Sequence, residues 1–84
     1  MYKLVFRASV KKDIKNIPRS DLEKISADIK NLKTVPLPRG VRKIRKNNYF
    51  RIRHGVYRIG YTINRSLKEI TIIYIERRSK STYS

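Results

Sequence analysis

Apolar positions near the start of the chain alternate at first and then take a helical spacing. The alternating set predicts a short opening strand over residues 2–6: Tyr2, Leu4 and Phe6. The next apolar residues recur at i, i+4 and i+7, the spacing of one helix face: Val10, Ile14 and Ile17. Ser9 can cap this first helix, and Pro18 interrupts it because proline has no N–H for the helical ladder.

A second helical pattern follows a capping signal. Ser20 and Glu23 have the Ser-x-x-Glu spacing of a capping box, in which each side chain bonds the backbone N–H of the other residue. Four apolar residues then line one helix face: Leu22, Ile25, Ile29 and Leu32. Two helices with one apolar stripe each predict a helical hairpin that covers one face of a sheet.

The second half of the chain changes to a period of two, which indicates strands. Val35–Pro38 ends the helical pattern, and residues 39–48 are interpreted as a basic connection. Three strands separated by turns follow: residues 49–53, 57–63 and 69–75. The last strand is nearly all apolar, which favours a place inside the sheet rather than at its edge.

The order of these elements, β-α-α-β-β-β, predicts an α+β fold. The N-terminal strand and a three-stranded antiparallel meander are expected to share one twisted sheet, with the helical hairpin packed on it. No repeat or linker interrupts the pattern, so we expect a single domain over residues 1–84.

The chain is strongly basic, with 22 Lys and Arg against 6 Asp and Glu and a formal net charge of +16. Thirteen of the bases but only two of the acids lie in residues 34–84, where many bases alternate with apolar residues. A polyanion relieves the self-repulsion of such a surface. Nucleic acid is the first candidate, an acidic protein the second, and an anionic membrane a distant third.

Composition also excludes several classes of protein. The chain has no cysteine, and hence neither a disulfide framework nor a cysteine-ligated metal site. No apolar run approaches the ~18 residues of a transmembrane helix, and the N-terminus lacks the apolar segment of a signal peptide. We therefore expect a cytoplasmic protein with no membrane partner, no metal and no other cofactor.

The predicted central hairpin carries arginines on its solvent-facing side. Arg51 and Arg53 share one face of the first strand, and Arg58 can point to the same side from the next strand. The small neighbours Gly60 and Thr62 would leave a hollow there. Guanidinium groups bind phosphate oxygens with two parallel hydrogen bonds, so this hollow suits a phosphate. The alternative is that the arginines only keep an open sheet face soluble.

Further candidates lie around this hairpin. Arg77 alternates with apolar residues of the last strand and is expected to leave the strand close to the arginines. Tyr49, Tyr57 and Tyr83 can supply aromatic faces on which exposed bases stack.

At this point the chain resembles the RelE/ParE toxin superfamily. Residues 49–61, YFRIRHGVYRIGY, resemble its central hairpin, in which Tyr-x-(Lys/Arg)-(apolar)-(Lys/Arg) precedes Gly-x-Tyr-Arg-(apolar)-x-Tyr. Residues 75–83, IERRSKSTY, resemble its closing arginine-rich segment, which ends in tyrosine. The order of elements agrees as well, so the resemblance covers essentially the whole chain.

The resemblance implies the toxin of a type II toxin–antitoxin pair. RelE-type members cut messenger RNA in the ribosomal A site without a metal, by attack of a 2′-hydroxyl on the adjacent phosphate. The implied partners are messenger RNA, the ribosome and a cognate acidic antitoxin. By position, the implied catalytic residues are Arg51, Arg53, Arg58, Arg77 and Tyr83. Such cations stabilise the extra negative charge of the phosphorane, and Tyr83 would stack on a base or orient the 2′-hydroxyl.

The proton acceptor of this reaction is not identified by the resemblance. RNA-cleaving relatives often carry lysines where this chain has Arg51 and Arg53, and a guanidinium stays protonated at any working pH. His54 is the only histidine, but alternation places it on the face opposite these arginines. His54 and Tyr83 both stay open as general bases, and an ordinary turn histidine is the simpler interpretation of His54.

Two other functions stay open on the same fold. A ParE-like toxin would inhibit DNA gyrase and cut no RNA, and the missing lysines fit this alternative. A non-catalytic RNA-binding module would hold phosphates with the basic residues 39–46, and its affinity would fall steeply with salt. The simultaneous presence of the four arginines and the terminal tyrosine favours the nuclease.

Overall fold

The computed structural model describes residues 1–77, which form a five-stranded sheet with two helices against it. In chain order the elements are β1 (Lys3–Phe6), α1 (Ala8–Lys15), α2 (Arg19–Asn31), β2 (Arg42–Ile44), β3 (Tyr49–His54), β4 (Tyr57–Asn64) and β5 (Glu69–Arg77). The strand order is β1-β5-β4-β3-β2, with β1 and β5 parallel and the other neighbours antiparallel. The predicted α+β fold, with two helices packed on a sheet that contains a three-stranded meander, is confirmed.

Strand β2 corrects the sequence interpretation, which took residues 39–48 as a connection. Arg42–Ile44 forms an antiparallel pair with β3 at the edge of the sheet. The two apolar residues of this segment are Val41 and Ile44, which are three positions apart. The segment therefore lacks the alternation of apolar and polar residues that predicts a strand. The free edge of β3 supplies hydrogen-bond partners to a segment whose own pattern is that of a loop.

The helices begin without the predicted side-chain caps. Arg7 and Pro18 occupy the N-cap positions of α1 and α2, and neither makes a side-chain capping bond. Ser9, Ser20 and Glu23 therefore lie inside the helices rather than at their caps. Proline is tolerated at this position because the N–H groups at the start of a helix have no carbonyl partner within the helix, so the missing N–H of Pro18 costs no helical hydrogen bond. Neither helix in residues 1–77 is long and apolar enough to cross a membrane.

The core lies between the helices and one face of the sheet. The helices and the C-cap residue of α2, Leu32, contribute four buried residues from the predicted apolar stripes: Val10, Ile25, Ile29 and Leu32. The strands contribute the remaining buried hydrophobic residues: Ile52, Tyr57, Ile59, Tyr61, Ile70, Ile72 and Ile75. No helix of the described chain covers the other face of the sheet, which we call the open face.

A β-bulge in β5 reverses the alternation of its side chains. Gly60 of β4 pairs with Tyr74, whereas the next residue, Tyr61, pairs with Ile72, so that Ile73 is the extra residue. Before the bulge, the even-numbered residues Ile70 and Ile72 of β5 face the helices. After the bulge, the odd-numbered residues Ile75 and Arg77 face them instead. The open face therefore receives Tyr74.

Three aspartates connect the helices to the sheet. The Asp13 carboxylate accepts the backbone N–H of Ile75 at 3.1 Å. The Asp21 carboxylate accepts the hydroxyl of Tyr57 at 3.3 Å, and the Asp28 carboxylate lies 2.5 Å from Nδ1 of His54. These three contacts lie on the helix-covered side of the sheet, so they place the carboxylates away from the open face.

Candidate functional site

Four arginines lie on the open face in two directly opposed pairs, and we call them the arginine cluster. Arg42 of β2 pairs with Arg51 of β3, and Arg53 of β3 pairs with Arg58 of β4. Directly opposed residues project to the same side of an antiparallel sheet, where like charges repel each other. Two such pairs are unfavourable for folding, and a bound anion would relieve their repulsion.

Glu76 faces the arginine cluster and forms an ion pair with Arg58. Its Oε1 lies 3.8 Å from Arg58 Nη1, and its side chain is 54% exposed. The Arg58 side chain is 22% exposed, and an ion pair of this length with an exposed carboxylate contributes little free energy. Four guanidinium groups against this one carboxylate give the cluster and Glu76 together a net positive charge.

The hollow predicted beside Gly60 and Thr62 is occupied at Gly60, so that prediction was wrong. A Cβ placed on Gly60 would lie 2.6 Å from Cζ of Tyr74. The ring of Tyr74 lies over Gly60 and reaches β3, where its hydroxyl donates a hydrogen bond to the hydroxyl of Tyr49 at 3.1 Å. The bulge is the cause, because regular alternation would have kept Tyr74 among the helices.

Arg77 is separated from the arginine cluster. It pairs with Tyr57, which is buried on the helix side. The bulge at Ile73 turns Arg77 to this side, contrary to the sequence expectation. There it lines a cleft of about 200 Å³ together with Asp13 and Asn16. The structure thus brings three of the four predicted arginines together and directs the fourth to the other face.

The three tyrosines expected to stack on bases have different positions. Tyr49 lies half-buried on the open face beside the arginine cluster. Tyr57 is buried and unavailable for stacking; burial and the Asp21 carboxylate raise its pKa, against the opposing charge of Arg77. Tyr83 lies outside the described residues, and its predicted role stays a prediction.

His54 faces the helices, as alternation predicts. Its Nδ1 lies 2.5 Å from Oδ2 of Asp28, so that the end of β3 is connected to α2. This contact gives His54 a structural role on the side of the sheet away from the arginine cluster. A proton taken from a ligand at the cluster therefore has no direct route to this imidazole.

Sequence reasoning missed two residues of the site, Arg42 and Tyr74. Arg42 was included only in a basic connection, because the residues around it show no strand period. Tyr74 is an even number of residues from Ile70 and Ile72, so regular alternation would place all three on the same face of the strand. It was included among the apolar residues of the last strand. The one available signal was Gly60, whose missing side chain leaves room for a large neighbour.

The arrangement is suited to binding and stabilising phosphate groups. Guanidinium forks donate paired hydrogen bonds to phosphate oxygens, and their charge stabilises a phosphate that gains negative charge during a reaction. In residues 1–77 no three His, Cys, Asp or Glu side chains are grouped closely enough to hold a metal ion. Beside the Glu76 carboxylate, the groups that the arginine cluster and its neighbouring tyrosines offer to a ligand are guanidinium and phenol groups.

The chain is similar in sequence to toxins of type II toxin–antitoxin systems. Residues 4–82 match the family model described as the ParE toxin of the type II toxin–antitoxin system parDE. The chain is also 34% identical over 73 residues to RelE1 of Methanocaldococcus jannaschii, which covers 82% of this chain and 81% of that protein.

Solved structures extend this similarity to the fold. A chain of the archaeal RelE–RelB complex from Pyrococcus horikoshii OT3 matches with a TM-score of 0.83 and 25% identity, over 94% of this chain and 97% of that chain. A chain of the RelB–RelE antitoxin–toxin complex from Methanococcus jannaschii matches with a TM-score of 0.74 and 30% identity, over 94% of both chains. The family match over residues 4–82, together with this shared fold, shows that the chain belongs to the RelE/ParE superfamily of type II toxin–antitoxin toxins.

Proposed function

We propose that this toxin is an endoribonuclease that cleaves messenger RNA on the ribosome in the cytoplasm. The observation that carries the proposal is the presence of two cross-strand arginine pairs, Arg42 with Arg51 and Arg53 with Arg58, on the open face. Such repulsion is unfavourable unless a polyanion occupies the face. The similarity to RelE proteins supports RNA as that polyanion.

The proposed reaction needs charge stabilisation above all. The 2′-hydroxyl oxygen of the RNA bonds to the adjacent phosphorus, and the bond from phosphorus to the 5′-oxygen breaks. The products are a 2′,3′-cyclic phosphate and a free 5′-hydroxyl. Arg51, Arg53 and Arg58 bind the non-bridging oxygens and stabilise the additional negative charge of the pentacoordinate phosphorane.

Proton transfer falls to groups other than these arginines. A guanidinium stays protonated at working pH and donates hydrogen bonds without accepting the proton of the 2′-hydroxyl. Tyr83 is our candidate for orienting that hydroxyl. Arg77 acts in this proposal on a part of the RNA that passes around the ends of β4 and β5, since it projects from the helix side.

An acidic antitoxin is the proposed protein partner. Two structural relatives are RelE proteins in complex with RelB antitoxins. A chain with a net charge of +16 attracts an acidic partner over a long range and associates with it quickly at low salt. The same charge serves RNA and antitoxin, so we expect the two ligands to compete.

The test is cleavage of a defined messenger RNA with and without translating ribosomes, followed by mapping of the ends. The wild type should produce ribosome-dependent cuts that end in a 2′,3′-cyclic phosphate, and Arg58→Ala should lower the rate by about 100-fold or more. Arg65→Ala, which changes an exposed arginine between β4 and β5, is the matched control and should cleave normally. Growth arrest by a wild type that makes no cuts would contradict the nuclease.

Inhibition of DNA gyrase is the second candidate function. It is favoured by the match to a ParE family model and by the absence of lysine at positions 51 and 53. A supercoiling assay with purified gyrase separates the two candidates, because a ParE-like toxin inhibits supercoiling while leaving messenger RNA intact. RNA binding with neither activity would instead support the non-catalytic RNA-binding module.

A further inference from the structure

One row of residues crosses four strands of the open face and combines cations with an aromatic ring. Arg42 lies opposite Arg51, Arg51 opposite Gly60, and Gly60 opposite Tyr74. Gly60 is the only member of the row without a side chain, and the ring of Tyr74 lies over it. A phosphate-binding group and an aromatic ring are thus neighbours across the sheet.

Tyr74 and Tyr49 form a corner beside Arg51. Their ring centroids are 5.6 Å apart and the ring planes meet at 84°. The hydroxyl of Tyr74 donates to that of Tyr49, which leaves the proton of Tyr49 available to donate to another acceptor. Both side chains are only partly buried, so the corner is accessible from the open face.

Tyr74 is held neutral although a cation lies beside it. Burial and the hydrogen bond to Tyr49 raise the pKa of Tyr74 well above its ordinary value, while the charge of Arg51 acts in the opposite direction. Tyr74 therefore stays a neutral phenol at working pH. A neutral aromatic ring next to a guanidinium can bind both the base and the phosphate of a nucleotide, because bases stack on aromatic rings and phosphates bind guanidinium groups.

We propose that Tyr74 and Tyr49 form a stacking site for one nucleobase of single-stranded RNA, whose phosphate is bound by Arg51. The inference deepens the proposed function and rests on it, since it specifies how the same open face holds its substrate. Tyr74 stacks on the base, and Tyr49 holds the ring of Tyr74 and donates a hydrogen bond to the nucleotide. The site makes cleavage depend on the base at one position of the RNA.

A purely structural role for the tyrosine pair predicts different behaviour. In that case Tyr74 only covers Gly60, and its replacement lowers the stability of the protein without altering how the protein senses individual bases. A stacking site instead couples the ring to one base. Loss of the ring and loss of that base then weaken binding by amounts that do not add.

The experiment measures binding of a short single-stranded RNA by fluorescence anisotropy, with 2′-O-methyl groups that block cleavage. A series of these RNAs lacks one base at each position in turn. The proteins are the wild type, Tyr74→Leu and Tyr74→Phe. Tyr2→Leu is the matched control, because Tyr2 lies beside Lys68 and pairs with neither the cluster nor Tyr74. Thermal unfolding establishes that each variant is folded, and Tyr49→Leu replaces Tyr74→Leu if the latter does not fold.

We expect Tyr74→Leu to bind the intact RNA about tenfold more weakly, with Tyr74→Phe and Tyr2→Leu close to the wild type. Removal of one particular base should weaken binding by the wild type about tenfold and leave Tyr74→Leu unaffected. With Tyr49→Leu, the same loss of sensitivity to that base supports the site. Equal sensitivity of leucine variant and wild type to every missing base overturns it.

The outcomes also separate this inference from the nuclease. Coupling between Tyr74 and one base, together with no cleavage by the wild type, overturns the nuclease and supports the stacking site. Cleavage without any coupling overturns the stacking site alone. A wild type that binds no single-stranded RNA overturns the stacking site alone, because the proposed nuclease acts on messenger RNA that the ribosome presents.

Discussion

Arg53 and Arg58 stand directly opposite each other on β3 and β4, on the face of the sheet that no helix of residues 1–77 covers. Opposed like charges lower the stability of a sheet, whereas opposite charges at the same positions would raise it. Residues kept in such an arrangement are explained better by a ligand than by folding. The pair thus connects a cost in stability to the proposed binding of RNA.

Replacing Arg53 by threonine should separate stability from activity. Arg53→Thr removes the repulsion with Arg58 and places a β-branched residue in a strand, so we expect the free energy of unfolding to rise by about 0.2–1 kcal/mol. The same variant should lose most of its RNA cleavage. Urea unfolding measures the first effect, with Arg65→Thr as the control outside the strands. A destabilised Arg53→Thr protein would contradict the repulsion argument.

Gly60→Ala tests the position of the Tyr74 ring. The added methyl group would meet ring atoms of Tyr74, so we expect a loss of about 1–3 kcal/mol in the free energy of unfolding. The double variant Gly60→Ala with Tyr74→Leu should recover part of that loss, because the smaller side chain makes room. Chemical denaturation of the single and double variants measures this coupling. Equal destabilisation by Gly60→Ala in both backgrounds would show that the ring lies elsewhere.

Asp13→Ala should destabilise the junction between α1 and β5. The Asp13 carboxylate accepts the backbone N–H of Ile75, two residues beyond the bulge, and its loss leaves that donor without this partner. We expect a cost of about 1–3 kcal/mol in thermal or urea unfolding. Asp13→Asn keeps an acceptor oxygen and should cost less, and Glu23→Ala, at an exposed position of α2, should cost little. Equal costs for all three variants would argue against this bond.

Alkaline pH should destabilise the protein through Tyr61. Its side chain is fully buried, and burial raises its pKa from 10.0 to about 12. Because the folded state holds the phenolic proton more tightly, the resulting stability is complete below about pH 10. It is lost as the pH rises to about 12, with a total of ~2–3 kcal/mol.

Tyr61→Phe should flatten this alkaline decline. Phenylalanine cannot ionise, although the carbonyl of Pro36 loses the hydroxyl that donates to it at 2.6 Å, at a cost of ~1 kcal/mol at neutral pH. The measurement is urea unfolding across the alkaline range, with Tyr2→Phe as the control for an incompletely buried tyrosine. An unchanged slope in Tyr61→Phe would assign the decline to other groups.

His54→Gln should affect stability more than activity. His54 is bonded to Asp28 on the helix side, and the arginine cluster is on the opposite face. We expect the single-turnover cleavage rate to stay within about threefold of the wild type, whereas loss of a general base would lower it about 100-fold or more. A loss of that larger size, in a variant with normal secondary structure, would reassign His54 to catalysis.

Local periodicity predicted most of the fold because each element keeps a regular period over its length. The helix stripes that contain Val10 and Ile25 face the sheet as predicted, since a period of about 3.6 residues fixes which side of a helix is apolar. Alternation likewise placed Arg51, Arg53 and Arg58 on one face and His54 on the other. The assignment of Arg58 also used the predicted hairpin, in which the two strands are neighbours in the sheet.

The pairing between strands determines features of the site that the pattern of apolar and polar residues does not contain. Arg42 lies in the site because its segment pairs with the edge of β3 although its apolar residues do not alternate. This pairing can be recognised only when the position of β3 is known. The start of α2 also differs from the predicted motif, because Pro18 is its N-cap residue and the carbonyl of Pro18 accepts the N–H of Leu22. For β2, backbone partners on a neighbouring strand outweighed the residue preferences of the segment itself.

By itself the sequence determined the fold class, the basic face with Arg51, Arg53 and Arg58, and the similarity to a toxin superfamily. Only the tertiary structure decided the positions of Tyr74, Glu76 and Arg77. One extra residue in β5, Ile73, turns every following side chain to the other face. This bulge arises from the register between β4 and β5, a relation between distant segments that no local period of either segment contains.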